Sequence, residues 1–122
     1  MKLIKWILLI VIVVVLVVVA LNWPLWPPVK FKSPYQAVLL TNGAVYFGKL
    51  EGLGTDYPIL RDVFYIQNAV DPNTKQTSSV LIRRGKEWHG PDFMVLNARH
   101  VLLIEPVTPG SRVAQLIAAT PK

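Results

Sequence analysis

Residues 7–21 read ILLIVIVVVLVVVAL, fifteen consecutive positions without a polar side chain. Extending this run from Leu3 to Trp23 gives a segment that would form a helix of about 31 Å, close to the ~30 Å hydrocarbon thickness of a bilayer. Most of the central residues are β-branched and would favour a strand in water. A lone segment in lipid must satisfy its own backbone hydrogen bonds and is therefore helical. The pattern predicts a transmembrane helix with a basic leader over residues 1–23.

The residues that flank this run are those expected at the two surfaces of a membrane. Charged and aromatic side chains anchor a span at its interfaces, and the predicted anchors are Lys2, Lys5, Trp6, Trp23 and Trp26. Because a short basic leader usually stays inside, we predict a single-pass protein of the cytoplasmic membrane. Its N-terminus would be cytoplasmic and its C-terminal domain extracytoplasmic, with the lipid bilayer as a direct partner.

A cleaved signal peptide is the alternative interpretation of the same run. Residues 18–20, Val-Val-Ala, resemble a cleavage site, and the two leader lysines resemble an n-region. The Trp–Pro cluster that begins at Trp23 instead resembles an interfacial anchor, which favours a retained span. Both interpretations place the remaining domain outside the cytoplasm.

Beyond the span the composition changes twice. Residues 24–34 are rich in proline and predict a short, stiff stalk. Residues 35–107 contain short runs of Val, Ile, Tyr and Phe between turn residues, as in a small β-domain. Asn42-Gly43 between two such runs predicts a hairpin with a type I′ turn. Residues 108–122 predict a short helix and tail, with Ser111 as the N-cap.

The predicted fold is therefore mainly β. It consists of the N-terminal helix, a small closed barrel of five or six short strands, and a short C-terminal helix. Four stretches carry a resemblance to an uncharacterised family of small bacterial proteins with one N-terminal span: residues 35–50, 60–67, 89–92 and 101–105. This resemblance implies an architecture but no activity.

The domain also resembles the Sm-like, or SH3-like, small barrel. Glycines and a Leu-x-Asp fall at spacings similar to those of the first Sm motif, at Gly43, Gly48, Leu50, Leu60 and Asp62. Sm-like proteins bind RNA and form rings. The residues that would contact RNA are not matched, because the base-reading Asn would lie near Tyr57 and the Arg-Gly of the second motif is replaced by Asn97-Ala98. The resemblance therefore implies self-association through strand edges rather than RNA binding.

The charge distribution agrees with that interpretation. The chain has 13 basic and 7 acidic residues, a net charge of +6. Four of the lysines flank the span, so residues from Ser33 onward carry only nine basic residues against the seven acidic ones. No nucleic-acid partner is predicted, since such partners require a basic stripe on the folded domain. The absence of cysteine excludes disulfides and thiol catalysis.

One cluster has the residue types for chemistry. His89 and Asp92 could act as a general base or as two ligands of a metal, but no nucleophile is positioned beside them. The alternative is that they order a loop around Gly90-Pro91. Arg83 and Arg84, like these two, are candidates for an interaction role. No catalytic, cofactor or metal site is predicted.

The resulting functional hypothesis is a membrane-anchored, non-enzymatic interaction or scaffold module, an accessory subunit of a bacterial envelope complex with a protein partner or with copies of itself. One alternative is a small envelope hydrolase or metal-dependent enzyme that uses His89 and Asp92. The other is a homo-oligomeric ring of Sm-like domains at the membrane surface.

Overall fold

The computed structural model describes residues 1–23 and 29–121, which form two α-helices, six β-strands and one 3-10 turn. In chain order these elements are α1 (Lys2–Asn22), β1 (Gln36–Leu40), β2 (Val45–Glu51), β3 (Ile59–Val70), β4 (Thr77–Arg83), β5 (Phe93–Val95), the 3-10 turn Ala98–His100, β6 (Val101–Pro106) and α2 (Arg112–Ala119). The predicted mainly-β architecture with an N-terminal apolar helix and a short C-terminal helix is confirmed.

Helix α1 contains 21 residues and no buried side chain. By length and composition it could cross a membrane, and it is the one helix within residues 1–23 and 29–121 that could. Asn22 donates its side-chain amide to the carbonyl oxygen of Val18 at 2.8 Å, and the backbone becomes extended at Trp23. Trp6 and Trp23 are exposed near its two ends. Residues 24–28 of the predicted stalk, which include the predicted anchor Trp26, lie outside the described residues.

The six strands form one antiparallel sheet in the order β4-β3-β2-β1-β6, and β5 pairs with the first part of β3. The predicted hairpin joins β1 to β2, but its predicted type I′ turn is wrong. Gly43 has a φ of +85°, whereas Asn42 is not among the residues with positive φ. The side-chain oxygen of Asn42 instead accepts the backbone N–H of Ala44 at 3.0 Å. This local bond stabilises a wider loop.

The predicted closed barrel is also wrong, because the sheet is open. β5 is hydrogen-bonded to β3 and β6 to β1, with no pairing between β5 and β6. The chain that leaves β5 bonds elsewhere: the N–H of Leu96 donates to Pro58 and that of Ala98 donates to Asp56. These bonds hold the β5–β6 connection against the turn before β3. The outer edges of β4 and β6 consequently remain unpaired among the described strands.

Two apolar clusters form the core, one on each face of the bent sheet. The first contains Val38, Leu60, Val63 and Leu96. The second contains Phe47, Phe64, Val107 and Ile117. Alternation along the strands separates them, and α2 contributes Ile117 to the second. The predicted cap of α2 is confirmed, since the Ser111 hydroxyl accepts the N–H of Ala114 at 3.2 Å.

Candidate functional site

A β-bulge in β3 provides the geometry of the candidate site. Phe47 is opposite Phe64 and Lys49 is opposite Arg61, so Gly48 alone faces the two residues Asp62 and Val63. Asp62 adopts a φ of +49°, in the left-handed region. Bulges re-aim side chains and are common beside functional sites. The close backbone approach requires a glycine, because a Cβ at Gly48 would lie 2.7 Å from the carbonyl oxygen of Arg61.

The carboxylate of Asp62 joins two neighbouring strands through ion pairs. It lies 3.0 Å from Nζ of Lys49 on β2 and 4.0 Å from Nη1 of Arg83 on β4. Its hydrogen bond with Lys49 raises the pKa of that lysine above its usual value. Both partners in the shorter pair are about half exposed, so water screens the attraction and the contribution to stability is small.

Arg83 and Arg84 are each held against an aromatic ring. The guanidinium carbon of Arg83 lies 4.5 Å from the ring centre of Phe64, and that of Arg84 lies 5.7 Å from that of Tyr46. Both Nε atoms are buried and make no hydrogen bond. Nε of Arg84 is 3.4 Å from a carboxylate oxygen of Glu87, an ion pair without hydrogen-bond geometry. Ring contact of this kind restricts the two side chains and holds their charged ends in place.

These groups surround a cavity of about 170 Å³, which we call the arginine cavity. Its lining residues are Asp62, Val63, Arg83, Arg84, Gly85, Pro91, Asp92, Phe93 and Met94. Two guanidinium groups and two carboxylates meet there, so the charges compensate one another. Since the cavity is smaller than the pockets that usually hold a drug-sized ligand, it suits one side chain or small group better than an extended substrate.

The loop between β4 and β5 is ordered by Glu87. Its carboxylate accepts the backbone N–H of Gly85 at 2.8 Å, and its carbonyl oxygen accepts that of Gly90 at 2.8 Å. The Gly85 bond, with a smaller contribution from Arg84, lowers the pKa of Glu87. Trp88 lies in the segment that the bond between Glu87 and Gly90 closes, and its side chain is fully exposed, with a relative accessibility of 107%. The loop therefore holds a tryptophan away from the core.

Trp88 is not among the residues that the sequence predicts to be functional. One sequence feature could have indicated it: Trp88 is the only large apolar side chain between Gly85 and Gly90. Periodicity cannot separate such a residue from one that folds back onto the core, whereas the structure can. Asp62 belongs to the Sm-like spacing, but the sequence does not predict its left-handed backbone.

The structure brings three of the four predicted interaction residues together. Arg83, Arg84 and Asp92 line the arginine cavity, while His89 is exposed and does not line it. The second histidine of the chain, His100, does not line the cavity either. Its Nδ1 lies 3.4 Å from the hydroxyl oxygen of Thr41. Within residues 1–23 and 29–121, no three His, Cys, Asp or Glu side chains form a group that could hold a metal ion.

The resemblances to a family of small single-span bacterial proteins and to the Sm-like barrel stay predictions. No protein-family model matches this chain, and no curated protein sequence matches it.

Proposed function

We propose that this protein is a membrane-anchored, non-enzymatic interaction module, an accessory subunit whose β-domain binds a protein of the bacterial envelope. The observation that supports this most directly is Trp88, fully exposed on an ordered loop beside two immobilised arginines. Tryptophan and arginine are the residues most enriched at the energetic centres of protein interfaces. The surface thus has the composition of a binding site before any partner arrives.

The free energy available from burial of the Trp88 side chain supports the same conclusion. A large aromatic side chain buries 150–250 Å² when it packs, which at ~25 cal/mol per Å² corresponds to about 4–6 kcal/mol. Trp88 gains none of this within the chain. The loop is fixed by hydrogen bonds to Glu87, so little further ordering is needed when a partner covers it, and preorganisation of this kind favours binding.

The anchor in this proposal is α1, with Lys2 and Lys5 on the cytoplasmic side and the β-domain on the opposite side of the cytoplasmic membrane. The length of the helix and the exposed aromatic residues at its ends support a membrane span, and the basic leader supports the orientation. Protease protection of the β-domain in sealed spheroplasts would test the orientation. Digestion by protease added to intact spheroplasts would support it, whereas protection of the domain until lysis, or digestion in sealed inverted vesicles, would contradict it.

The decisive test is Trp88→Ala in the full chain, purified in detergent from native membranes. Because Trp88 makes no packing contact, the melting temperature should not change, while a stoichiometric co-purifying protein should be lost. A photo-crosslinking residue at position 88 should give one discrete product. The same residue at Tyr57, an aromatic position that is also exposed, is the matched control. Equal crosslinking at both positions, or an unchanged partner after the substitution, would contradict the proposal.

Self-association is the second candidate, and the open sheet favours it. β4 and β6 each have an unpaired outer edge among the described strands, and β6 exposes Leu102 and Leu103. Apolar edges of this kind pair readily with another chain. In this candidate the domain is an opened Sm-like barrel that joins β4 of one copy to β6 of the next. Native mass should then show an oligomer that Leu102→Lys dissociates, while Trp88→Ala leaves it intact.

A further inference from the structure

The second half of β3 and most of β4 form a hairpin that leaves the rest of the sheet, and we call residues 66–80 the arm. The pairing of β2 with β3 ends at the Phe47–Phe64 pair, whereas β3 stays paired with β4 as far as Val70 and Thr77. A cavity of about 420 Å³ lies between the start of the arm and residues 43–47. Every residue of the arm is exposed. At about 3.4 Å per residue, the strand residues 66–70 extend it by about 17 Å.

Hydrogen bonds within the arm give it a defined shape. The Ser79 hydroxyl donates to Oδ1 of Asn68 across the two strands at 2.8 Å. In the turn, the Asp71 carboxylate accepts the N–H of Asn73 at 2.8 Å, and the Asp71 N–H donates to the carbonyl oxygen of Gln76 at 2.9 Å. Two strands alone are only marginally stable in water, and three or more are needed for independent stability. The arm is therefore an ordered hairpin without the cover that would stabilise it.

Both faces of the arm carry uncovered apolar side chains. Ile66 and Val70 continue the face of β3 on which Phe64 is buried, yet they are 47% and 63% exposed. Val80 pairs with Gln67, lies on the other face and is 51% exposed. A helix or loop packed on the arm would cover one face only. A strand added along its edge would extend both faces at once.

The outer edge of β4 lacks the features that normally prevent such an addition. It is unpaired among the described strands, and proteins usually protect a free edge with charged residues or proline. Residues 77–82 read TSSVLI and contain neither, whereas β6, at the other end of the sheet, ends in Glu105-Pro106. Like charges directly opposite one another destabilise a strand pair. A strand that pairs with its own copy must therefore be neutral, as β4 is.

We infer that β4 pairs antiparallel with β4 of a second copy of this chain, so that two arms form one four-stranded sheet. Such a pair uses the same surface on both copies and closes at two. The dimer supplies the strands that a lone arm lacks. The inference depends neither on Trp88 nor on the membrane anchor. It is an alternative to the joint between β4 and β6, because both joints use β4.

The test uses the absence of cysteine from the chain. Single cysteines are placed in turn at positions 77–82 of the full chain in detergent, and disulfide formation is followed after oxidation. The two-fold axis of an antiparallel pair places one residue directly opposite its own counterpart. The adjacent residues are too far from theirs for a disulfide, which requires Cα atoms roughly 4.4–6.8 Å apart. One position should give a covalent dimer and its two neighbours much less, while the control Leu103→Cys on β6 should stay monomeric.

Three outcomes of the cysteine scan would overturn the inference. No product at any of the six positions would show that β4 does not meet its copy. Equal product at all of them would show random collision in place of a fixed register. A product that forms only when a β4 variant is mixed with Leu103→Cys would identify the joint between β4 and β6.

A matched pair of charge variants provides an independent readout. Val80→Lys and Gln67→Lys add the same charge at directly opposite positions of the arm, but only the first lies on β4. Native mass spectrometry should give twice the chain mass of 13.7 kDa for the unsubstituted protein and for Gln67→Lys, and the single mass for Val80→Lys. Equal masses for the two variants, or dissociation by Leu102→Lys, would contradict the inference. Circular dichroism checks that both variants stay folded, and the cysteine scan decides if either does not.

Discussion

Replacement of Gly48 by alanine is the most direct perturbation of the bulge that shapes the arginine cavity. Gly48 lies on β2 opposite the bulge, and an added Cβ would meet the carbonyl oxygen of Arg61 and Cγ of Leu60, each at 2.7 Å. The first of these atoms belongs to the backbone of the paired strand. The second belongs to a core side chain with no exposed surface. Neither can move without disturbing β3.

Two opposing terms determine the magnitude. Overpacking of a core typically costs about 1–3 kcal/mol, and the backbone contact places Gly48→Ala toward the upper end. Replacement of glycine by alanine restricts the unfolded chain and returns about 0.4–1 kcal/mol. We therefore expect a net loss of about 1–2 kcal/mol, which for a domain of this size lowers Tm by about 4–16 °C.

Thermal unfolding of the detergent-solubilised chain, followed by circular dichroism, measures this shift. The control is Gly43→Asn, because Gly43 has open space around its Cα and asparagine tolerates its positive φ; its Tm should be nearly unchanged. A Tm for Gly48→Ala equal to that of the unsubstituted chain would refute the steric reasoning. Equal destabilisation by the two substitutions would attribute the effect to glycine conformation and not to contact with β3.

Three further predictions concern other parts of the domain. Gln36→Ala should lower the stability by about 1–3 kcal/mol, seen as a lower Tm, because the N–H of Leu50 then loses its acceptor in a partly buried position; no change would contradict the role of Gln36 as a clamp. Ser111→Ala should cost about 1 kcal/mol by removing the cap of α2, and Ser111→Asp should recover it in the same melting assay. The pKa of Glu87 is lowered from its usual 4.5 by the N–H of Gly85, so the stabilisation that this bond gives the loop is present above that pH and is lost as the pH falls through the folded value. The protection factor of the Gly85 amide, which corrects the exchange rate for its intrinsic pH dependence, should therefore decrease on acidification. In Glu87→Gln this acid transition should be absent.

Much of the architecture was predictable because its causes are local. The apolar run 7–21 requires a helix in lipid wherever the rest of the chain lies. Asn42-Gly43 indicated a hairpin, although the exact turn depended on a side-chain bond that the dipeptide alone does not specify. Ser111 indicated the start of α2 because a cap acts on residues two or three positions away. Alternating apolar residues indicated strands, but they did not indicate whether the strands at the two ends of the sheet would pair and close a barrel.

The sequence by itself therefore determined the apolar helix, the mainly-β class, the first hairpin and the cap of the final helix. Tertiary structure decided that the sheet stays open, that Asp62 lies in a left-handed bulge, and that Arg83, Arg84 and Asp92 surround one cavity. It also decided that Trp88 points away from the core and that residues 66–80 are exposed on both faces of the β3–β4 hairpin. Each of these features joins residues far apart in the chain or depends on which contacts a side chain lacks. Such features are set by strand register and packing between distant segments, whereas periodicity and capping report only the order of neighbouring residues.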